Sequence, residues 1–538
     1  MRFTRTFGVS LLTVGVLLSL RPLRAAEAAA AAQDEPANAV HMTLSDCLTR
    51  ALENNLDLRI AKLDPESAEH QVTFQDAFFD PVLGAHASYA ENKSDFVTVI
   101  NSTFTSPNTG NDDKTTLFGA ALGQVLKFGA NYNVTVDGRK LKSTGDSFNP
   151  PSFFTHSVND QSSFPVIGLE FNLHLLKGLG VEVNTLNLIL AKNDERISQE
   201  ELRRRAQVTL KAVEDAYWDV AAARAAVRVS KQSLKLAQDL YDLNKKKVEV
   251  GTLAPIEITQ AEAGVASREE GVIVAENLLS DTEDNLRRLL AIPKDDPLWG
   301  QPIIPADKPK SEGTPPDLDD ALATAMQKRP EILNAHTAYD SSEVAARVAK
   351  KNIRHTLDLK ATVGSSWFDS SSDSLTAATP TTPAAISTFD ANDGKGGPDW
   401  SIGLVYAYPI RNRAAKASSA IAEIDRQRSE IAIASAEQDV RVDVRTAVRA
   451  VASGAQRVAA AHSNTILQQK TVDAELKKFE NGMSTSFEVL RIQTDLSDAQ
   501  VAEIRAVLDY NKSLADLERA KGTLLESKGL ALASNTGR

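Results

Sequence analysis

The chain runs to 538 residues, long enough for two or more domains or one elongated one, and is 42% hydrophobic but only 6% aromatic. Much of the apolar content is Ala, Val and Leu, which suits long packed helices better than one large globular core. A net charge of −11 without a basic stripe argues against nucleic acid as a partner, and the lack of HExxH, GxSxG, GxxxxGKS/T and CxxC in a chain with scattered histidines leaves no catalytic residue, cofactor or metal to expect.

MRFTRTFGVSLLTVGVLLSLRPLRAAEAAAAA opens the chain with Arg2 and Arg5, an apolar run from Phe7 to Leu20, then small residues. This predicts a secretory signal peptide over 1–26, with small residues for cleavage as far as position 32. A membrane anchor is the weaker reading because the run is short. The sole cysteine, Cys47, excludes a disulfide within the chain and is expected as a buried or neutral thiol.

Residues 43–291 read as opening helices, strands within about 82–176, a long helix over 185–250 and a returning helix over 254–291. The proline-rich stretch 292–317 divides the chain, since proline continues neither a helix nor a central strand. Residues 318–525 then repeat the plan: strands within about 356–410, a long helix over 414–481, a returning helix over 485–525, and a tail over 526–538. LSDCLTRALENNLDL (44–58) matches LDDALATAMQKRPEI (318–332), and Ile-Gly-Leu recurs at 167–169 and 402–404.

Each long helix would reach on the order of 100 Å. Val213, Val220, Val227 and Leu234 form one heptad stripe; Val229, Leu236, Leu243 and Val250 form a second on nearly the opposite side. The other long helix carries Val444, Val451, Val458, Val472 and Phe479 in one register, interrupted at Thr465. Two seams fit a closed wall of helices; a thick globular bundle is the alternative. Both long helices then break alike, in KVEVGTLAPIEI and KFENGMSTSFEV, with Lys247/Lys478, Gly251/Gly482 and Glu257/Glu488 at one constant offset. Gly takes the left-handed conformation that ends a helix, Pro255 suits a first turn, and Ser484, Thr485 and Ser486 offer cap oxygens. Each break predicts a hairpin tip.

VLGAHASYAENKSDF, TTLFGAALGQVLKFGANYNVTVDG, PVIGLEFNLHLL, TLDLKATVGSSWF and WSIGLVYAYPI alternate as strands of membrane-crossing length, about 9–11 residues. The polar stretches 97–114, 139–164 and 369–399 read as surface loops. Trp367, Phe368 and Trp400 bracket one of them at one height, as a membrane-interface girdle or as plain edge aromatics. In hydrocarbon an open sheet edge is not viable, so strands too few to close alone demand several copies.

In order and duplication these features resemble the TolC family of outer-membrane efflux proteins over essentially the whole mature chain. The tips VGTLAPIEI and NGMSTSFEVL are the most specific local matches. The resemblance implies a mixed α/β membrane protein, built as a homotrimer with a shared outer-membrane β-barrel continued by a long periplasmic α-helical barrel. It implies an exit duct of a tripartite efflux or type I secretion system in a Gram-negative outer membrane. Its partners would be a periplasmic adaptor, an inner-membrane pump and outer-membrane lipid.

By position, the adaptor would dock on the tips Gly251, Thr252, Leu253, Gly482, Met483 and Ser484. Glu257 and Glu488 fall on acidic positions near the gate, and Phe479 where some members carry a gate-linking tyrosine. Ser484 stands where the best-known member has a gate arginine and Arg491 where it has an acid. A Glu488 ring paired with Arg491 is therefore the expected constriction; helix-start acids serving only the dipole are the alternative. The family's usual two strand segments per half are exceeded by 115–138. If that segment inserts, three copies supply about eighteen strands rather than about twelve; if not, it forms a cap or loop hairpin. A periplasmic adaptor or a structural coiled-coil protein of the envelope is the rival reading, though neither needs paired strands and two tips.

Overall fold

The structure, a computed structural model, describes residues 38–96, 109–149, 152–313, 316–376, 385–395 and 398–532. The expected signal peptide lies outside them. Two compact units are formed, one from 38–62, 202–329 and 439–532, the other from 63–201 and 330–438.

The first unit starts at strand β1 (Val40–Met42) and helix α1 (Leu44–Asn54). Thr43 and Asp46 close a reciprocal capping box there. It contains the distal part of α4 (Leu186–Glu249), α5 (Ile256–Leu289), α6 (Leu318–Lys328), the distal part of α8 (Arg413–Glu480), α9 (Ser486–Lys521) and the short α10 (Leu524–Ser527). Cys47, Leu48, Leu210, Val213, Tyr217, Val220, Leu286 and Leu524 form its main core. Burial pushes the Cys47 thiol up to about 12, so it stays neutral.

The expected linker is more than a divider. Its segment β6 (Ile303–Pro305) pairs in parallel with β1, and the Tyr217 hydroxyl donates to Asp307 at 2.7 Å. A proline can end such a strand because only its missing N–H is lost to the ladder.

Helices α8 and α9 zip along a heptad seam. Val440, Val444, Ala447, Val451, Gly454, Val458, Val472 and Phe479 are buried on α8. Gly454 lets the two helices pack closely, since a Cβ there would sit 3.2 Å from the Tyr510 ring of α9. Thr465, which interrupts the stripe, turns its hydroxyl to the Ala461 carbonyl at 3.1 Å and the Ala499 carbonyl at 3.3 Å. On α4 the stripe Val213, Val220 and Val227 is buried, whereas the second stripe fades from buried Val229 to an exposed Val250.

The second unit holds the later part of α2 (Leu56–Asp76), α3 (Val181–Asn184), the start of α4, α7 (Pro330–Lys351), the start of α8 and one antiparallel sheet. Among the described residues that sheet runs β2 (Val82–Phe96), β3 (Thr109–Leu126), β4 (Ala130–Asn149), β5 (Ser152–His174) and β7 (Thr356–Thr376). Both β8 (Ala385–Lys395) and β9 (Asp399–Ala407) pair with β7, at successive levels. Glu182 of α3 ties down α7 through ion pairs with Arg347 and Lys351.

The sheet corrects two expectations. Stretches expected as loops are strand over 109–114, 139–149, 152–163, 369–376 and 385–395. Ladder bonds come from the backbone, so a Ser-, Thr- and Asn-rich run stays extended while a neighbour continues beside it. Trp367 and Trp400 are also not level: Trp400 pairs with Val363, four residues short of Trp367, which pairs with Lys395 of β8. Inserting β8 above β9 on the same side of β7 produces that offset.

Candidate functional site

Both hairpin tips end their long helix in the same way. Gly251 (φ +77°) and Gly482 (φ +74°) adopt the left-handed conformation, with open space where a Cβ would stand. The Gly251 N–H donates to the Val248 carbonyl at 2.9 Å and Thr252 N–H to Lys247 at 2.9 Å. At the other tip the Gly482 N–H donates to Phe479 at 3.2 Å and Met483 N–H to Lys478 at 2.9 Å. These nested bonds are Schellman caps, which satisfy carbonyls a helix end leaves orphaned.

The two tips are joined to each other by polar residues that helix periodicity hides. Asn244 is fully buried; its amide donates to the Ser486 hydroxyl at 2.7 Å and the Glu257 carbonyl at 3.2 Å. The Glu257 carboxylate accepts from the Ser486 N–H at 3.2 Å, so it caps the helix of the other hairpin, α9. Lys247 donates to the Phe479 carbonyl at 3.1 Å, with its ammonium 4.3 Å from the Phe479 ring centre. Phe479 itself is buried with Leu240 and Val489.

A second cluster sits on the α8–α9 hairpin. Glu475 accepts from the Ser484 hydroxyl at 2.6 Å and from Lys478 at 2.9 Å. These bonds, Ser484 first, hold its carboxyl below the usual glutamate range. Glu488 receives the Thr485 cap only at its backbone N–H; its carboxylate is clamped by Arg491, whose Nε donates at 3.0 Å. The guanidinium also reaches Asp495 at 3.6 Å. That bond and charge lower the Glu488 pKa and raise that of Arg491.

Of the sequence-predicted residues, Glu257 and Phe479 lie in the joint between the tips, while Glu488 and Arg491 pair on α9. Gly251, Thr252, Gly482 and Met483 are exposed, and Leu253 and Ser484 are half-buried. Trp367 and Trp400 are exposed on the sheet, and Phe368 lies in β7 opposite Ser163. Sequence reasoning missed the bonding roles of Asn244, Lys247 and Glu475, and missed that Val250, Ile256 and Phe487 are exposed at the tips, as the expected Met483 is, by 59–74%. The signal for Asn244 was its phase: with Ala237 and Leu240 it falls on the buried face of α4.

Solved structures share this fold. A membrane protein from Pseudomonas aeruginosa superposes with a TM-score of 0.62 at 18% identity, over 89% of this chain and 93% of that one. The CmeC outer membrane channel of Campylobacter jejuni gives 0.59 at 15% identity, over 92% and 87%. The open state of the MtrE outer membrane channel of Neisseria gonorrhoeae gives 0.57 at 17% identity, over 89% of each. No curated protein matches the chain. The outer membrane efflux protein family, however, matches residues 153–291 and 321–523. The chain belongs to the outer membrane efflux protein family.

Proposed function

We propose that this protein is the exit duct of a multi-component efflux or type I secretion system, passing cargo delivered by an inner-membrane pump and a periplasmic adaptor across the outer membrane. One observation carries the reading. The sheet has an apolar face and two unclosed sides, β2 at one and β8 with β9 at the other, among the described residues. Such a sheet is stable in hydrocarbon only when neighbouring copies pair its sides into a barrel. Three copies then share one barrel, and the helices continue the duct into the periplasm.

The tips support the docking end of the proposal. Val250, Ile256, Met483 and Phe487 offer an apolar surface beside the two Schellman turns, suited to the apolar face of an adaptor hairpin. Glu488 with Arg491, ringed by symmetry, would form the constriction. No covalent step is assigned to any residue.

The test is to fractionate cells producing the protein and run the membrane fraction unheated. Detergent-resistant trimers in the outer membrane, with photo-crosslinkers at Met483 and Phe487 capturing an adaptor, are expected. A water-soluble monomer would refute the duct.

A further inference from the structure

We propose that the β3–β4 hairpin is itself part of the membrane wall, so that each copy supplies six strand positions and three copies close an eighteen-strand pore. The proposal rests on the exit-duct reading above and adds the width of its mouth.

Pairing places Trp400, Val363, Leu169, Val134, Leu122 and Leu83 in a single row across the sheet, from β9 to β2. Directly paired residues share a face, so all six apolar side chains stand on one side. The neighbouring row points the other way and reads Ser401, Thr362, Glu170, Asn133, Gly123 and Val82, polar or small except at the edge. Residues of β3 and β4 obey the same division as the four strand positions around them.

The apolar band is also tilted. On β9 it runs from Trp400 to Tyr406, six residues to one side of that row; on β2 it runs from Leu83 to Tyr89, six residues to the other side. Its centre thus shifts by about six residues over five strand-to-strand steps, or about 4 Å along for about 4.8 Å across, a slope near 40°. Strands of membrane barrels tilt by about 35–45° for the same reason: the lipid slab is level while the strands are not. The β3 segment Phe118–Leu122 and the β4 segment Tyr132–Val136 fall on this sloping line. The band spans about 20 Å along β9 and β2, and about 13 Å along the β3 and β4 segments. A hairpin serving as a cap or loop would have no cause to keep either the division or the slope.

At that tilt, eighteen strands enclose a barrel about 36 Å across between backbones, against about 24 Å for twelve. An α-helix with its side chains is about 10–12 Å wide. The outer-membrane mouth would therefore not sieve cargo up to the size of helical polypeptide, and selection would rest with the helical end and the pump.

Single cysteines in a Cys47→Ala background, each carrying a spin label in trimers reconstituted into phospholipid vesicles, test this. Ala120→Cys and Val136→Cys should be relaxed by oxygen from the bilayer, and Ala121→Cys and Thr135→Cys by a water-soluble nickel chelate. Ile402→Cys and Ser401→Cys on β9 provide the reference alternation. Four hairpin sites relaxed by the chelate alone, with β9 alternating, would overturn the eighteen-strand wall and leave the exit duct standing. Loss of alternation on β9 as well would overturn both. A particle imaged in the same vesicles with a barrel near 36 Å would support the wall independently of the labels.

Discussion

Asn244 and Glu488 show at the residue scale how different two polar residues of one tip are. Asn244 is buried and links Ser486 to Glu257, so Asn244→Ala leaves buried polar groups unpaired, at a cost of about 1–3 kcal/mol. Local opening of the tip should rise accordingly, and trypsin should cut the Lys245–Lys247 run roughly tenfold faster than in the parent. Unchanged cleavage would mean that Asn244 does not tie the tips. Glu488 is half-buried and its pKa is lowered by Arg491. A lowered carboxyl keeps its charged-form interactions above the ordinary glutamate range, near 4.3, and loses them only as pH falls through the lower folded value. Conductance in planar bilayers should therefore stay flat as pH drops through about 4.3 in the parent, while Arg491→Ala should bring a step into that range and greater cation selectivity at neutral pH. Identical pH profiles would remove this pair from the constriction. The sequence pointed to Glu488 because an acid after a helix break is conspicuous. It hid Asn244 because one polar residue on an apolar face looks like noise until its partner, more than two hundred positions away, is placed.

At the element scale, the tips were readable because Gly, a following Pro or hydroxyl, and an acid are local signals. The heptad stripes were readable too, since Val213, Val220, Val444 and Val451 are buried as their spacing implies. The polar ends of the strands were not. A Ser-rich segment such as 369–376 carries no periodic signal, and only the partner strand makes it extended. The tips also make the sharpest element-level prediction. At Gly482 an L-residue meets φ +74°, where Ala costs about 1 kcal/mol, and Pro cannot follow at all because its φ is fixed near −65°. Gly482→Pro also deletes the N–H donor to Phe479. Gly482→Asn should keep crosslinking to the adaptor, whereas Gly482→Pro and Gly251→Pro should lose most of it while trimers still form. If both proline variants crosslink normally, the turn geometry does not matter for docking.

The molecule as a whole turns on a sheet whose two sides are unpaired among the described residues. In an edge strand, alternate N–H groups point to the paired neighbour and the rest point outward. β2 pairs with β3 from Val82 to Phe96, so of Ala85, His86, Ala87 and Ser88, every second residue sends its N–H away from β3. If those outward groups pair with β9 of a neighbouring copy, proline at an outward position deletes a bond between copies while sparing the β2–β3 ladder. Proline at an inward position damages the hairpin of its own chain. A proline scan of these residues should therefore alternate in its phenotype. Outward variants should give folded, full-length protein in membranes that no longer runs as a detergent-resistant trimer; inward variants should be degraded before assembly. Trimers surviving every outward substitution would show that β2 is not a seam between copies. Closure would then need another edge, and the pore could not be counted from this sheet.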